Sequence, residues 1–119
     1  MDKILRIKMG ADAGPQVKEE PLGNYAGLGG RAMTSAIVAK EVPPLCHPLG
    51  ADNKLIIATG PLTATTAPTG GCSSAVTKGA LTGAIAASNT GGMFGAELKM
   101  AGYDLLIVEG RAEHPVYLW

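Results

Sequence analysis

At 119 residues, with ten basic and ten acidic side chains cancelling to zero net charge, the chain has the length of one domain. It lacks the electrostatic footprint that nucleic acid or an anionic membrane surface calls for. Hydrophobic residues make up 46% and aromatics only 4%, so the expected core is built from Ala, Val, Ile, Leu and Met, while 17 glycines point to tight turns and close backbone approach.

Lys3 to Met9 alternates, with Leu5, Ile7 and Met9 on one face and Arg6 and Lys8 on the other, the pattern of a half-buried strand. The same opening, MDKILRIKMGAD, is too interrupted by lysine and arginine for the apolar core of a signal peptide, and no run approaches the roughly 18 apolar residues that span a bilayer. A cytoplasmic setting is therefore the default, with free thiols at Cys46 and Cys72 favoured over a disulfide. Gly10 to Pro15 reads as a turn and Val17 to Pro21 as a return strand with Glu19 and Glu20 on its wet side. NYAGLGG, from Asn24 to Gly30, is a loop.

Arg31 to Val42 reads as a helix of about three turns, with Met33, Ala36, Ile37 and Lys40 at helical spacing and Pro43-Pro44 as its stop. Cys46 and His47 follow in a loop. They supply at most two metal ligands and no CxxC accompanies them, so a surface loop is preferred over a metal pair. Lys54 to Thr59 (KLIIAT) is a buried strand.

Gly60 to Gly95 then holds eight of the 17 glycines, ten Ser/Thr hydroxyls and one formal charge, Lys78. Flexible backbone with short hydroxyl side chains suits close approach to a polar, anionic ligand, and a ligand-free set of glycine-rich strands and turns reads equally well. Within it, Thr63 to Gly71 is an irregular connection. Ser73 to Thr77 and Gly83 to Ala87 read as short strands around a turn at Lys78-Gly79, although the Ala-rich part also admits a helix. A second helix is expected from Met93 to Ala101, packing Phe94, Leu98 and Ala101 inward and stopping at Gly102. Leu105 to Glu109 is a buried strand, Gly110 to His114 a turn in which His114 is solvated, and Val116 to Trp119 a last strand. An apolar end at Tyr117-Leu118-Trp119 predicts a fragment or one piece of a larger assembly.

The expected fold is α+β, with a mixed, mostly antiparallel sheet of about six short strands and two packed helices. No G-x-S-x-G, Walker or H-E-x-x-H sequence is present, which leaves hydrolase and triphosphatase readings without support.

Three blocks, NKLIIATGPLTATTAPTGG (53–71), VTKGALTG (76–83) and ASNTGGMFGAELKMAGYDLLIVEGRAEHPVYL (87–118), closely resemble in order and spacing the N-terminal domain of the tungsten-containing aldehyde ferredoxin oxidoreductases. LGGRAM (28–33) and KILRIKM add to the likeness. The resemblance implies that the chain is about the first half of that domain, a sheet-rich cradle for tungsten or molybdenum held by two molybdopterin-type cofactors. It also implies aldehyde oxidation to a carboxylic acid, with electrons leaving through a [4Fe–4S] cluster to ferredoxin. The cluster motif CxxCxxxC is absent from this chain, so the cluster and the cavity-lining groups belong to the remainder of the enzyme and the chain alone is not expected to be catalytic.

Carried over by position, the main-chain carbonyl of Asn89 helps hold the Mg²⁺ that bridges the pterin phosphates, with Gly91 and Gly92 as close backbone donors. On the residues alone, Asn89 also suits the turn before a helix. Cys72 falls where the family has an arginine that bonds a pterin. A thiol does not replace that charged fork, and Arg31 or an arginine outside this chain would have to compensate. Cys72 as a small buried hydrophobe, a stand-alone non-catalytic subunit or remnant, and a generic phosphate or nucleotide binder are the other readings. Exposed sheet edges would allow a homo-oligomer.

Overall fold

The computed structural model describes residues 2–10 and 14–119. The chain runs β1 (Lys3–Met9), β2 (Gln16–Pro21), α1 (Gly30–Glu41), β3 (Lys54–Thr59), β4 (Ser73–Lys78), β5 (Ile85–Thr90), α2 (Phe94–Met100) and β6 (Leu105–Gly110). The six strands form one sheet in the order β2-β1-β6-β3-β4-β5. Only β1 and β6 pair in parallel, and the other neighbours are antiparallel. The α+β architecture and the mixed sheet are thus as the sequence indicates.

The alternation of side chains along each strand sorts the sheet into two faces. Ile56, Ala58, Val76, Leu105 and Ile107 point to one of them, where Met33, Ile37, Val38 and Val42 of the α1 segment close over them to form the core. Each such aliphatic side chain contributes about 1.5–3 kcal/mol when fully buried. On the second face Ile7 and Leu106 are buried, but Leu55 is 43% exposed.

Several expectations are corrected. The buried stripe of α1 is Met33, Thr34, Ile37 and Val38, whereas Ala36 and Lys40 lie on the wet side. Glu20 is half buried rather than wet, because it bonds Arg6 at 3.1 Å, and only Glu19 of the acidic pair faces solvent. The second short strand starts at Ile85 and runs through Ser88-Asn89-Thr90, residues expected in a loop. Its six residues are all exposed, so pairing with β4 rather than an apolar pattern holds it.

In α2 the inward face is inverted. Gly95 and Lys99 are buried, Leu98 is half buried, and Phe94 and Ala101 are exposed. Val116 to Trp119 forms no strand and is exposed, having no neighbouring strand to pair with. The turn expected over Gly10 to Pro15 falls largely on residues 11–13, outside the described residues. No helix among the described residues is long and apolar enough to cross a membrane.

Candidate functional site

The glycine-rich segment gathers at one end of the sheet, where β3 stops and β4 starts. Ser73 and Ser74 open β4, and as consecutive strand residues they face opposite sides. Ser74 looks toward α1. A Cβ on Gly30 would stand 3.4 Å from its Oγ, and its hydroxyl donates to Asn89 Oδ1 at 2.6 Å across the Ser74–Asn89 register of β4 and β5. Ser73 looks toward α2, where a Cβ on Gly95 would lie 3.4 Å from the Ser73 side chain and 3.1 Å from the Gly71 carbonyl. A Cβ on Gly71 would in turn stand 3.1 Å from the Gly92 carbonyl. Glycine is needed at 71 and 95 for close backbone approach, and the start of β4 is thereby held between the two helices.

The connection Gly60–Gly71 lies against the same end. Thr63, 1% exposed, accepts the Gly60 amide at 3.0 Å and donates to the Gly70 carbonyl at 2.6 Å, closing the loop on itself. The Thr65 hydroxyl donates to the Leu62 carbonyl at 2.6 Å. Part of the hydroxyl supply that the sequence offers to a ligand is therefore spent on holding the loop. Ala64 and Thr69 sit at φ 60°, a left-handed conformation that is a true outlier for a β-branched residue.

Asn89, Gly91 and Gly92 fall together at the β5–α2 junction, and Cys72 precedes β4 on the facing segment. Asn89 lies inside an edge strand, not in a helix-start turn. Gly92 has φ +88°, whereas Gly91 has an ordinary φ and no atom within 4 Å of a Cβ placed on it. Cys72 is exposed, and both it and Cys46 are free thiols. Cys46 packs against the core, and no group of three or more His, Cys, Asp or Glu side chains among the described residues could hold a metal.

Two features of this end, one on each face of the sheet, bear on a phosphate-bearing ligand. The Ser73 Oγ is buried without a partner. The N-terminus of α1 begins at Gly29-Gly30 with no side-chain cap, so its first amides are not claimed by a capping group. Sequence reasoning missed Gly30, Gly95 and Ser74 here.

Residues 4–119 match the N-terminal domain of aldehyde ferredoxin oxidoreductase. The chain belongs to this family. It is 56% identical over 92 residues to the tungsten-containing aldehyde ferredoxin oxidoreductase of Pyrococcus furiosus, covering 77% of this chain and 15% of the relative. With the Pyrococcus horikoshii protein of the same description it shares 48% over 120 residues, 98% of this chain and 19% of the relative. Among solved structures, the active-site complex BamBC of benzoyl coenzyme A reductase, bound to 1,5-dienoyl-CoA, superposes with a TM-score of 0.88 at 30% identity, covering 98% of this chain and 18% of that one. The chain thus spans less than a fifth of the length of these aldehyde ferredoxin oxidoreductases.

Proposed function

We propose that this chain is the cofactor-cradling part of a tungsten-pterin oxidoreductase that oxidises aldehydes to carboxylic acids and passes electrons through an iron–sulfur cluster to ferredoxin. The observation that carries the reading is the convergence of Gly71, Gly92 and Gly95 with Ser73, Ser74 and Asn89 between two helices at one sheet end. When bound, the group supplies a redox-active metal, held by dithiolene sulfurs, that accepts the two electrons of the aldehyde. This chain's task is to bind and orient it. The open amides at the α1 N-terminus are donors for phosphate oxygens.

Asn89 accepts the Ser74 hydroxyl on its side chain, which fixes the residue, and its main-chain carbonyl would be a ligand for the Mg²⁺ of the cofactor. Gly91 and Gly92 supply backbone donors beside it. The iron–sulfur cluster and the substrate cavity come from the remainder of the enzyme, and the choice of aldehyde with them. The benzoyl coenzyme A reductase neighbour, bound to 1,5-dienoyl-CoA and not to an aldehyde, supports that division.

Metal analysis and pterin fluorescence on the complete protein test the reading. Tungsten or molybdenum together with pterin is expected, and an active preparation containing neither metal would sink it. Exposed Cys72, at the position where the family carries an arginine, favours one second reading, a non-catalytic subunit that keeps the fold for assembly. Asn89→Asp and Cys72→Arg in the complete protein separate the two, since pterin content insensitive to both changes would leave only the second.

A further inference from the structure

Lys99 of α2 is 5% exposed, and Asp104, just beyond the helix, is 6% exposed. An ammonium group taken out of water needs an acceptor for each of its three protons. Lys99 Nζ has the Asp104 carboxylate at 3.1 Å, the Gly60 carbonyl at 2.7 Å and the Pro61 carbonyl at 3.4 Å. Asp104 is anchored in turn. Its carboxylate accepts the Asp2 amide at 2.5 Å, and its main-chain carbonyl accepts the Thr59 amide at 3.0 Å and the Thr59 hydroxyl at 3.1 Å. The start of β1, the end of β3 and α2 therefore meet at one ion pair, whose remaining hydrogen bonds go to the first two residues of the Gly60–Gly71 loop.

That loop needs an anchor. Ala64 and Thr69 hold left-handed conformations that non-glycine residues keep only where the surroundings over-determine them. Thr63 ties the two ends of the loop to each other, and its methyl and the Gly71 carbonyl rest against Gly95 of α2. Lys99 supplies the hydrogen bonds from α2 that hold its first two residues, and the Pro61 ring packed against Gly29 is the stop on the other side.

We propose that the Lys99–Asp104 pair positions the Gly60–Gly71 loop, locking its first turn so that Thr69-Gly70-Gly71 is presented in one conformation to the cofactor. The inference rests on the pterin-cradling reading for its purpose and on the hydrogen bonds alone for its mechanism. Lys99 touches no reacting atom and acts through the loop.

The test is Lys99→Met in the complete protein, with hydrogen exchange followed by mass spectrometry and pterin counted per polypeptide. Exchange across 60–71 should quicken at least tenfold while β3 and β6 keep their protection, and pterin content should fall at least tenfold. Lys99→Arg should restore most of the protection. Asp104→Asn, which keeps the two carbonyl bonds, should give a smaller change in the same direction. Unchanged exchange across 60–71 overturns the proposal, and so does acceleration spread equally through β3 and β6, the mark of a general structural role. A loosened loop with undiminished pterin supports the positioning but removes the loop as a cofactor contact. Should Lys99→Met fail to fold, Asp104→Asn decides by the same readout, and wild-type exchange across 60–71 in it overturns the proposal.

Discussion

At the Lys54–Glu109 end of the sheet, Arg6 bonds Glu20 at 3.1 Å, Glu41 at 2.9 Å and Glu109 at 3.1 Å, and Lys54 joins the cluster through Glu109 and Glu41. At the Thr59–Ser73 end the buried ion pair is Lys99–Asp104, and around it stand hydroxyls, an amide and bare glycine backbone. With Lys18 on Glu20, three cations in the first cluster meet three carboxylates, so the group has no spare charge for a ligand. In the second the polar groups are weak and short, and one of them, the Ser73 Oγ, is left over. The two ends teach that the density of charge marks where this fold is stapled, and the lack of it marks where the proposed phosphate-bearing guest would fit.

Breaking the staple should give the largest effect. Arg6→Met leaves Glu20, Glu41 and Glu109 facing one another with only Lys18 and Lys54 in reach. Removing one partner from a mostly buried ionic cluster costs roughly 3–5 kcal/mol, and these carboxylates keep 15–25% of their side-chain surface, so a value near the lower bound is expected. Exchange of β1 and β6 amides in the complete protein measures it. Pterin per folded polypeptide should stay unchanged, and a parallel loss of pterin would mean that the two ends are coupled.

Gly95→Ala comes next. Gly95 has an ordinary φ, so only space opposes a side chain, and the added Cβ would crowd the Gly71 carbonyl at 3.1 Å. Overpacking of this kind costs about 1–3 kcal/mol. Here, in contrast to Arg6→Met, pterin content should fall along with the protection of α2. Retained pterin would separate the helix contact from the cofactor surface.

Acid should loosen the charged end as well. Burial pushes the Glu109 carboxyl up, but its bonds and charge pairing with Lys54 and Arg6 outweigh that and hold it below the ordinary 4.5; for Glu20, burial is likewise outweighed by Lys18 and Arg6. A carboxylate whose pKa is depressed on folding adds stability that is complete above its unfolded value and is lost as pH falls through the folded value. Protection of β1 and β6 should therefore be flat above pH about 4.5 and decline below it. A decline beginning near neutral pH would contradict the assignment to these carboxylates.

Much of this division was legible in the sequence. KILRIKM, KLIIAT and LLIVE are alternating or continuous apolar runs, and each is a strand within a residue of its expected bounds. IAASNT has no apolar pattern to read, because it is an exposed edge strand held by backbone pairing with β4, and its true bounds followed only from that partner. Lys99 was illegible for a different reason. A lysine is normally read as the wet side of a helix, and its burial is made affordable by two carbonyls and a carboxylate that come from distant parts of the chain. Cys72, Asn89, Gly91 and Gly92 were placed by resemblance to known domains, and the close approaches at Gly71 and Gly95 needed coordinates.

Gly91→Ala, set beside Gly92→Ala, gives the smallest effect on stability and the sharpest on the comparison. No atom lies within 4 Å of a Cβ at Gly91 and its backbone is one that alanine adopts, so folding should change by no more than about 0.5 kcal/mol. Gly92, at φ +88°, is strained by any side chain, which costs about 1–2 kcal/mol. If the open surface at Gly91 exists for a ligand to approach the backbone, Gly91→Ala should lower pterin content severalfold while exchange in β5 and α2 stays at wild-type rates. Gly92→Ala should lower both. A Gly91→Ala protein that keeps its full complement of pterin would place the cofactor contact elsewhere on this end of the sheet and leave Gly92 as a turn glycine alone.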